Sequence, residues 1–403
     1  MFNSKHHISL ITAVLPSPSA NAVINDLTSN EVTDVLVSNA RGTLLRDHWW
    51  KSWVPPISPS KTMLRMVVPA RDVERVVNTV IVEGKLDLQA AGAVFSTPCE
   101  SAYVGSEFHN LRTKETLNTT TESNKLSENL SAIFCSVGHS LSDRIAKAAI
   151  NAGAHGPIVH YAEGKGLRDR LGWLRITKDS EQEILMVLAD NSDVEGIFAA
   201  MAKAGEFHLP GRGFMYRLPV DKGMFNLPSR IANPHYPANT QQIIHAIDNL
   251  TGHTHWRDQA VFDVGGEGKG IGLNLGQQKQ QELINQICFS AVVNRDQSQD
   301  FMDLMLDAGA PGLNVSYSRF VAMYEDEHEH PDLAHAHINH EYATIRCITN
   351  QATANSVTEA VESQAEEKGI KDVCVLAHSV PRIAKYVPGT KDHRVKSKLA
   401  MAS

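Results

Sequence analysis

A chain of 403 residues with 42% apolar and 21% charged side chains is long enough for two to four domains and too apolar to be disordered or fibrous. Its net charge of −7 argues against nonspecific nucleic-acid binding and favours a soluble particle. Cys99, Cys135, Cys288, Cys347 and Cys374 show no paired spacing, so they read as buried thiols in a reducing, cytoplasmic compartment rather than as a disulfide framework.

Taken in chain order, one pattern recurs three times. The apolar run Ile8 to Leu15 reads as a strand, followed by a helix around Asn21 to Leu27 and a strand at Val35 to Val37. After a long loop come a strand at Met63 to Val68, a helix from Asp72 to Val82 stopped by Gly84, and a strand at Ala93 to Ser96. The second copy gives a strand at Ala132 to Val137, a helix at Asp143 to Asn151 and strands at Pro157 to Tyr161 and Ile184 to Ala189. It closes with a helix at Val194 to Lys203, a stop at Gly205 and a strand at Phe214 to Leu218. The third runs Ile287 to Val293, helix Asp300 to Asp307, strands Leu313 to Tyr317 and Ala343 to Ile348, helix Ala354 to Glu367, Gly369, and strand Val373 to Ala377. Glycine recurs at the helix ends because a left-handed cap disfavours a Cβ.

Each copy is a βαββαβ unit, the ferredoxin-like arrangement of α+β proteins, with two helices on one face of a four-stranded antiparallel sheet. Thr62 to Val68 and Glu183 to Ala189 are apolar on both alternating faces, as expected of strands buried on both sides. Three units packing their sheets inward form an intramolecular pseudo-trimer, monomeric in solution; the alternative is three independent domains on linkers. The expected boundaries are repeats at 1–108, 129–231 and 285–390, linkers at 109–128 and 232–284, and a tail at 391–403. The first linker is polar and reads as solvated. The second contains a helical stretch near Thr240 to Asn249 and a glycine run from Gly265 to Gly272 whose spacing fits neither phosphate-binding fingerprint, so it reads as a connector. Lys5, His6 and His7 before an apolar run imitate a leader peptide, but the same run opens the other copies and is taken as a strand.

The stretch Asp193 to Glu206, followed by Gly211-Arg212-Gly213-Phe214 to Val220, resembles the second helix, B-loop and last strand of PII nitrogen-regulatory proteins. Ala308 to Arg319 is similar to the turn and second strand ahead of their T-loop, and Ser38 to Thr43 and Gly84 to Phe95 match more loosely. The resemblance covers most of the chain outside the linkers. PII proteins are homotrimers of ferredoxin-like subunits, so it implies a fused, asymmetric trimer acting as a signal-transduction regulator. The implied ligand is ATP, ADP, AMP or another small anionic effector bound between repeats, with no redox cofactor. T-loop-like loops would dock on a protein target such as a membrane transporter or metabolic enzyme.

The implied ligand-binding positions are Gly205, Gly211, Arg212 and Gly213 in the second repeat, Gly84, Lys85 and Gly92 in the first, and Gly369 and Lys371 in the third. Arg41 and Lys165 stand at loop bases. Glycine-rich backbone exposes N–H groups to phosphate oxygens and basic side chains add charge-assisted bonds. The same glycines read equally as plain turn formers. Phe214 stands at the family's lysine position, leaving Arg212 as the nearest cation.

The three loops in the T-loop position differ. Loop one, Arg41 to Ser60, carries Trp49, Trp50 and Trp53 beside basic residues, either a partner surface or indoles folded over a sheet. Loop two, Gly164 to Asp179, carries Arg168 and Arg170, suited to a solvated hairpin or to anion contact. Loop three gathers carboxylates with His328, His330, His335, His337 and His340, either a divalent-metal site as in the CutA group or a pH-sensitive acidic loop. No GxSxG elbow, Cys-His framework or pair of buried carboxylates is evident, so an enzyme is not expected.

Overall fold

The computed structural model describes residues 8–29, 32, 34–43, 60–88, 92–108, 110, 126–166, 181–209, 211–226, 286–322 and 338–385. They form a mixed α+β fold with six α-helices and a 15-stranded antiparallel sheet. The first segment runs β1 (Ile8–Leu15), α1 (Ser17–Ser29), β2 (Val35–Gly42), β3 (Ser60–Pro69), α2 (Val73–Glu83), β4 (Gly92–Pro98) and β5 (Ser101–Val104). The second runs β6 (Leu130–Gly138), α3 (His139–Asn151), β7 (Ile158–Gly166), β8 (Glu181–Asp190), α4 (Val194–Gly205), β9 (Phe214–Val220) and β10 (Gly223–Asn226). The third runs β11 (Gln286–Asn294), α5 (Ser298–Asp307), β12 (Gly312–Ala322), β13 (Ile338–Asn350), α6 (Gln351–Glu367), β14 (Cys374–Val380) and β15 (Arg382–Lys385).

The helices form for amphipathic reasons. In α2 the buried Val73, Val76, Val77, Val80 and Ile81 repeat at helical spacing, so a valine-rich segment with modest intrinsic helicity is held by the sheet it covers. Helix α6 is capped by the Asn350 side chain, which accepts from the Thr353 N–H at 2.9 Å. It ends at Gly369, whose φ of 65° is left-handed.

Within the segments the strand orders are β4-β1-β3-β2, β9-β6-β8-β7 and β14-β11-β13-β12. The segments then exchange short strands in a cycle: β5 pairs with β14, β10 with β4, and β15 with β9. Strands β2, β7 and β12 also pair with one another across segments. The three segments are thus stitched together through main-chain hydrogen bonds rather than strung on linkers.

Alternation along the strands divides the core. In β1, Ile11, Ala13 and Leu15 face α1 and α2, and in β6, Ile133, Cys135 and Val137 face α3 and α4. The opposite faces contribute Val14, Phe95, Phe134, Met186, Tyr216, Cys288 and Ile348 to a core drawn from all three segments. All five cysteines are free and buried. Among the described residues, no helix is long and apolar enough to cross a membrane.

Several boundaries differ from the sequence expectation. Arg41 and Gly42 belong to β2, and Gly164 to Gly166 belong to β7, so both loops begin later than expected. Asn110 in the first expected linker is buried: its backbone N–H donates to Asp34 at 2.7 Å, and its amide donates to the carbonyls of Asp34 and Val67. The second linker, including the helix expected near Thr240, lies outside the described residues.

Candidate ligand-binding site

The glycine loop of the second segment begins where α4 stops. Glu206 adopts a left-handed φ of 52° and Phe207 turns back into the core. A Cβ on Gly205 would come within 2.3 Å of the Phe207 ring, so that glycine is demanded by packing. Gly211 and Gly213 have φ of 78° and 94°. At Gly213 a Cβ would also lie 1.9 Å from the Ser136 carbonyl oxygen, because the loop runs against β6 as it enters β9. Arg212 pairs with Glu206 at 3.2 Å, and Arg144 from α3 pairs with the same carboxylate at 3.2 Å. Two guanidinium groups therefore share one carboxylate beside the loop. Behind it an open groove of about 490 Å³ is lined by Arg144, Lys203 and Glu206 with small residues of α3 and α4.

The third segment completes this neighbourhood. In the β15–β9 ladder, Lys385 lies opposite Phe214, the residue after Gly213, and Arg382 lies opposite Arg217. Arg382 pairs with Glu195 and lies 4.7 Å from the centroid of the Phe198 ring. Burial lowers the pKa of Lys385, and among the described residues no carboxylate acts on it. The seam thus joins a backbone with left-handed glycines to cations from two segments.

A second junction lies where β2 meets β7. Arg41 reaches Glu183 at 3.1 Å and Asp143 at 3.2 Å. Burial works against its charge, but Glu183 and then Asp143 outweigh that and hold its pKa above the ordinary value. Glu183 is fully buried in β8, and it also takes His139 Nδ1 at 2.9 Å and the Ser142 hydroxyl from the first turn of α3. This carboxylate binds the first segment to the second.

The remaining expected positions are dispersed. Gly84 and Lys85 lie in the turn after α2, with Lys85 at a left-handed φ of 51°, and Gly92 opens β4. Gly92 abuts the Val14 carbonyl as Gly213 abuts that of Ser136, so both are required by close approach of a strand. Gly369 and Lys371 lie between α6 and β14, where the Lys371 carbonyl accepts from the Glu107 N–H at 3.1 Å. Lys165 at the end of β7 bonds Gln299 of α5. The structure therefore distributes the glycines over three seams and brings Arg212 and Gly213 together with a strand from another segment. Trp49, Trp50, Trp53, Arg168, Arg170, His328, His330, His335 and His337 lie outside the described residues; His340 is in β13, opposite Phe320.

Sequence reasoning missed Glu183, His139, Arg382 and Lys385. Glu183 carried a signal, a carboxylate immediately ahead of the apolar run Ile184 to Ala189. The four residues of β15 had none, because their pairing partner is about 170 positions away.

No family model matches the chain, and no curated protein matches it. Among solved structures, a PII protein of Arabidopsis thaliana bound to citrate is 19% identical, covering 26% of this chain and 86% of its own, with a TM-score of 0.21. A microcompartments protein from Desulfitobacterium hafniense is 12% identical, covering 66% and 98%, with a TM-score of 0.15. A putative monooxygenase from Fusobacterium nucleatum is 8% identical, covering 56% and 97%, with a TM-score of 0.19. Similarity at this level carries no argument about fold or activity.

Proposed function

We propose that the chain is a three-unit ferredoxin-like regulator of the PII kind, an intramolecular pseudo-trimer that senses a small anionic effector at the seam between its second and third segments. The effector class is an adenine nucleotide or a comparably small anion, held by the loop Gly211 to Gly213 with Arg212 from one segment and Lys385 from the next. The protein acts by binding rather than by turnover, and loops beyond the described strands carry the signal to a protein target. One observation supports this reading above the others: the β15–β9 pairing puts Lys385, a half-buried cation on which no carboxylate of the described residues acts, opposite Phe214, next to the left-handed Gly213. A cation kept from solvent and from an internal counter-charge is suited to an external anion. Ligand at such a seam contacts two segments at once and so biases their arrangement.

Calorimetric titration with ATP, ADP, AMP, 2-oxoglutarate and bicarbonate tests the proposal. Saturable binding of one of these, weakened at least tenfold by Arg212→Ala and by Lys385→Ala, is the expected result. Binding that ignores both substitutions, or no binding across the set, overturns it.

A further inference from the structure

The shared inner face of the sheet holds a feature that the effector seam does not use. Opposite the fifth residue of each opening strand stand Arg65, Met186 and Arg346, across from Thr12, Phe134 and Ser290. These are equivalent positions in the three segments, and two of them are arginine. Both arginines are buried, each keeping 7% of its surface; Arg346 works against the charge of Arg65, and both lie near Tyr216 and Cys288.

Among the described residues, no carboxylic acid acts on them. Arg65 Nη2 lies 3.3 Å from His160 Nε2, and Arg346 Nε donates to the Ser290 hydroxyl at 3.3 Å. The Tyr216 hydroxyl bonds Arg346 and Cys288. Burial pushes the pKa values of Tyr216 and Cys288 upward and that of His160 well below its ordinary value, so all three are neutral near pH 7. Burial, with Arg346 next, lowers Arg65 only to about 9, which leaves it protonated. Among the described residues, no carboxylate is among the groups that act on either guanidinium. Uncompensated buried charge is the costliest content a core can have, and two like charges add repulsion.

We propose that this interior binds a small inorganic oxyanion, sulfate or hydrogen phosphate, held by Arg65 and Arg346 with hydroxyl donors from Tyr216 and Ser290. Two planar guanidinium forks match the oxygens of a tetrahedral oxyanion, and two positive charges match a dianion. The three segments supply the site jointly, since Arg65 comes from the first, Tyr216 from the second and Arg346 with Ser290 from the third. The anion is therefore a structural core component, separate from the effector proposed for the seam.

The test is ion chromatography on the purified full chain, exchanged into chloride buffer and then denatured. Release of about one sulfate or phosphate per chain is expected, together with a melting temperature that rises with added sulfate beyond the rise from matched chloride. In the Arg65→Met/Arg346→Met variant, which copies the Met186 position, release and the sulfate-specific rise both vanish while effector binding at the seam is unchanged. Arg212→Ala leaves the released anion at its original amount, so failure of one site is distinguishable from failure of the other. If the native chain releases no oxyanion and sulfate raises the melting temperature equally in native and double-variant protein, the proposal is wrong. Should the variant not fold, the native release alone decides.

Discussion

Glu183 and the Arg65–Arg346 pair are both buried charges within strands, yet they are treated in opposite ways. Glu183 is surrounded by groups that neutralise or hydrogen-bond it: Arg41, His139 and Ser142. The arginines face a histidine, a tyrosine, a cysteine and a serine, none of which carries negative charge at neutral pH. The first charge is a fastener, because its partners come from two segments and its desolvation is offset within the chain. The second is an open electrostatic demand. The difference teaches that burial alone does not assign a role to a charged residue; the sign and origin of its neighbours do.

The strongest way to break this comparison is to remove the partner that satisfies Glu183. Arg41→Ala leaves a buried carboxylate with His139 and Ser142, and breaking such a pair costs about 3–5 kcal/mol. Because Arg41 retains some solvent exposure, the lower end is expected, read as a fall in the denaturation midpoint with unchanged slope. A change below about 0.5 kcal/mol would show that Glu183 does not fasten the segments.

Acid sharpens the contrast from the other side. His378 is buried on the inner face, near Cys99 at 4.0 Å, with Nδ1 at 3.0 Å from the Pro98 carbonyl, and burial lowers its pKa from 6.5 to about 4. Arg346 lowers it further, while the Pro98 hydrogen bond works the other way. The unfolded chain therefore binds a proton between these values that the folded chain refuses, so stability falls as the pH drops below 6.5 and levels off below about 4. The loss from this residue is roughly 3 kcal/mol. His378→Gln is expected to flatten that part of the pH–stability profile, and an identical profile in the variant would contradict it.

The third expectation has the reverse sign from the first. In buffer free of sulfate and phosphate, Arg65→Met/Arg346→Met is expected to leave the protein as stable or up to about 2 kcal/mol more stable, because apolar replacement relieves buried charge. Equilibrium urea denaturation measures it, and a loss comparable to that of Arg41→Ala would place both arginines among the fasteners.

The sequence made the element order readable wherever structure is local. Apolar runs, helical spacing and glycine stops placed β1, α2 and α4 within a few residues of where they lie. The short strands β5, β10 and β15 were invisible, since each has four residues and finds its strand partner in another segment. Arg65 was passed over inside the run Thr62 to Val68 that reads as apolar, although a cation within a run buried on both faces is itself a signal. Of the candidate site, Arg212 and the glycines were legible from local pattern. Lys385 was not, because its neighbourhood is created by the exchange of β15. Gly92 and Gly213 also turned out to serve close backbone approach, which sequence spacing does not distinguish from ligand contact.

The smallest expected effects concern the charged residues on the exchanged strands. Lys222, just ahead of β10, pairs with Glu74 at 2.8 Å; Arg382 of β15 pairs with Glu195. Glu74 and Glu195 each follow the first valine of their helix, α2 and α4, so the two pairs are the same device on two seams. The Lys222 pair is largely solvated, and Lys222→Ala should cost no more than about 0.5 kcal/mol. Arg382 is also laid over Phe198, so Arg382→Ala should cost about 1 kcal/mol. Paired urea denaturation curves would measure this ordering. A loss of several kcal/mol from either would mean that side-chain charge, rather than the main-chain ladders of β10 and β15, holds the segments together.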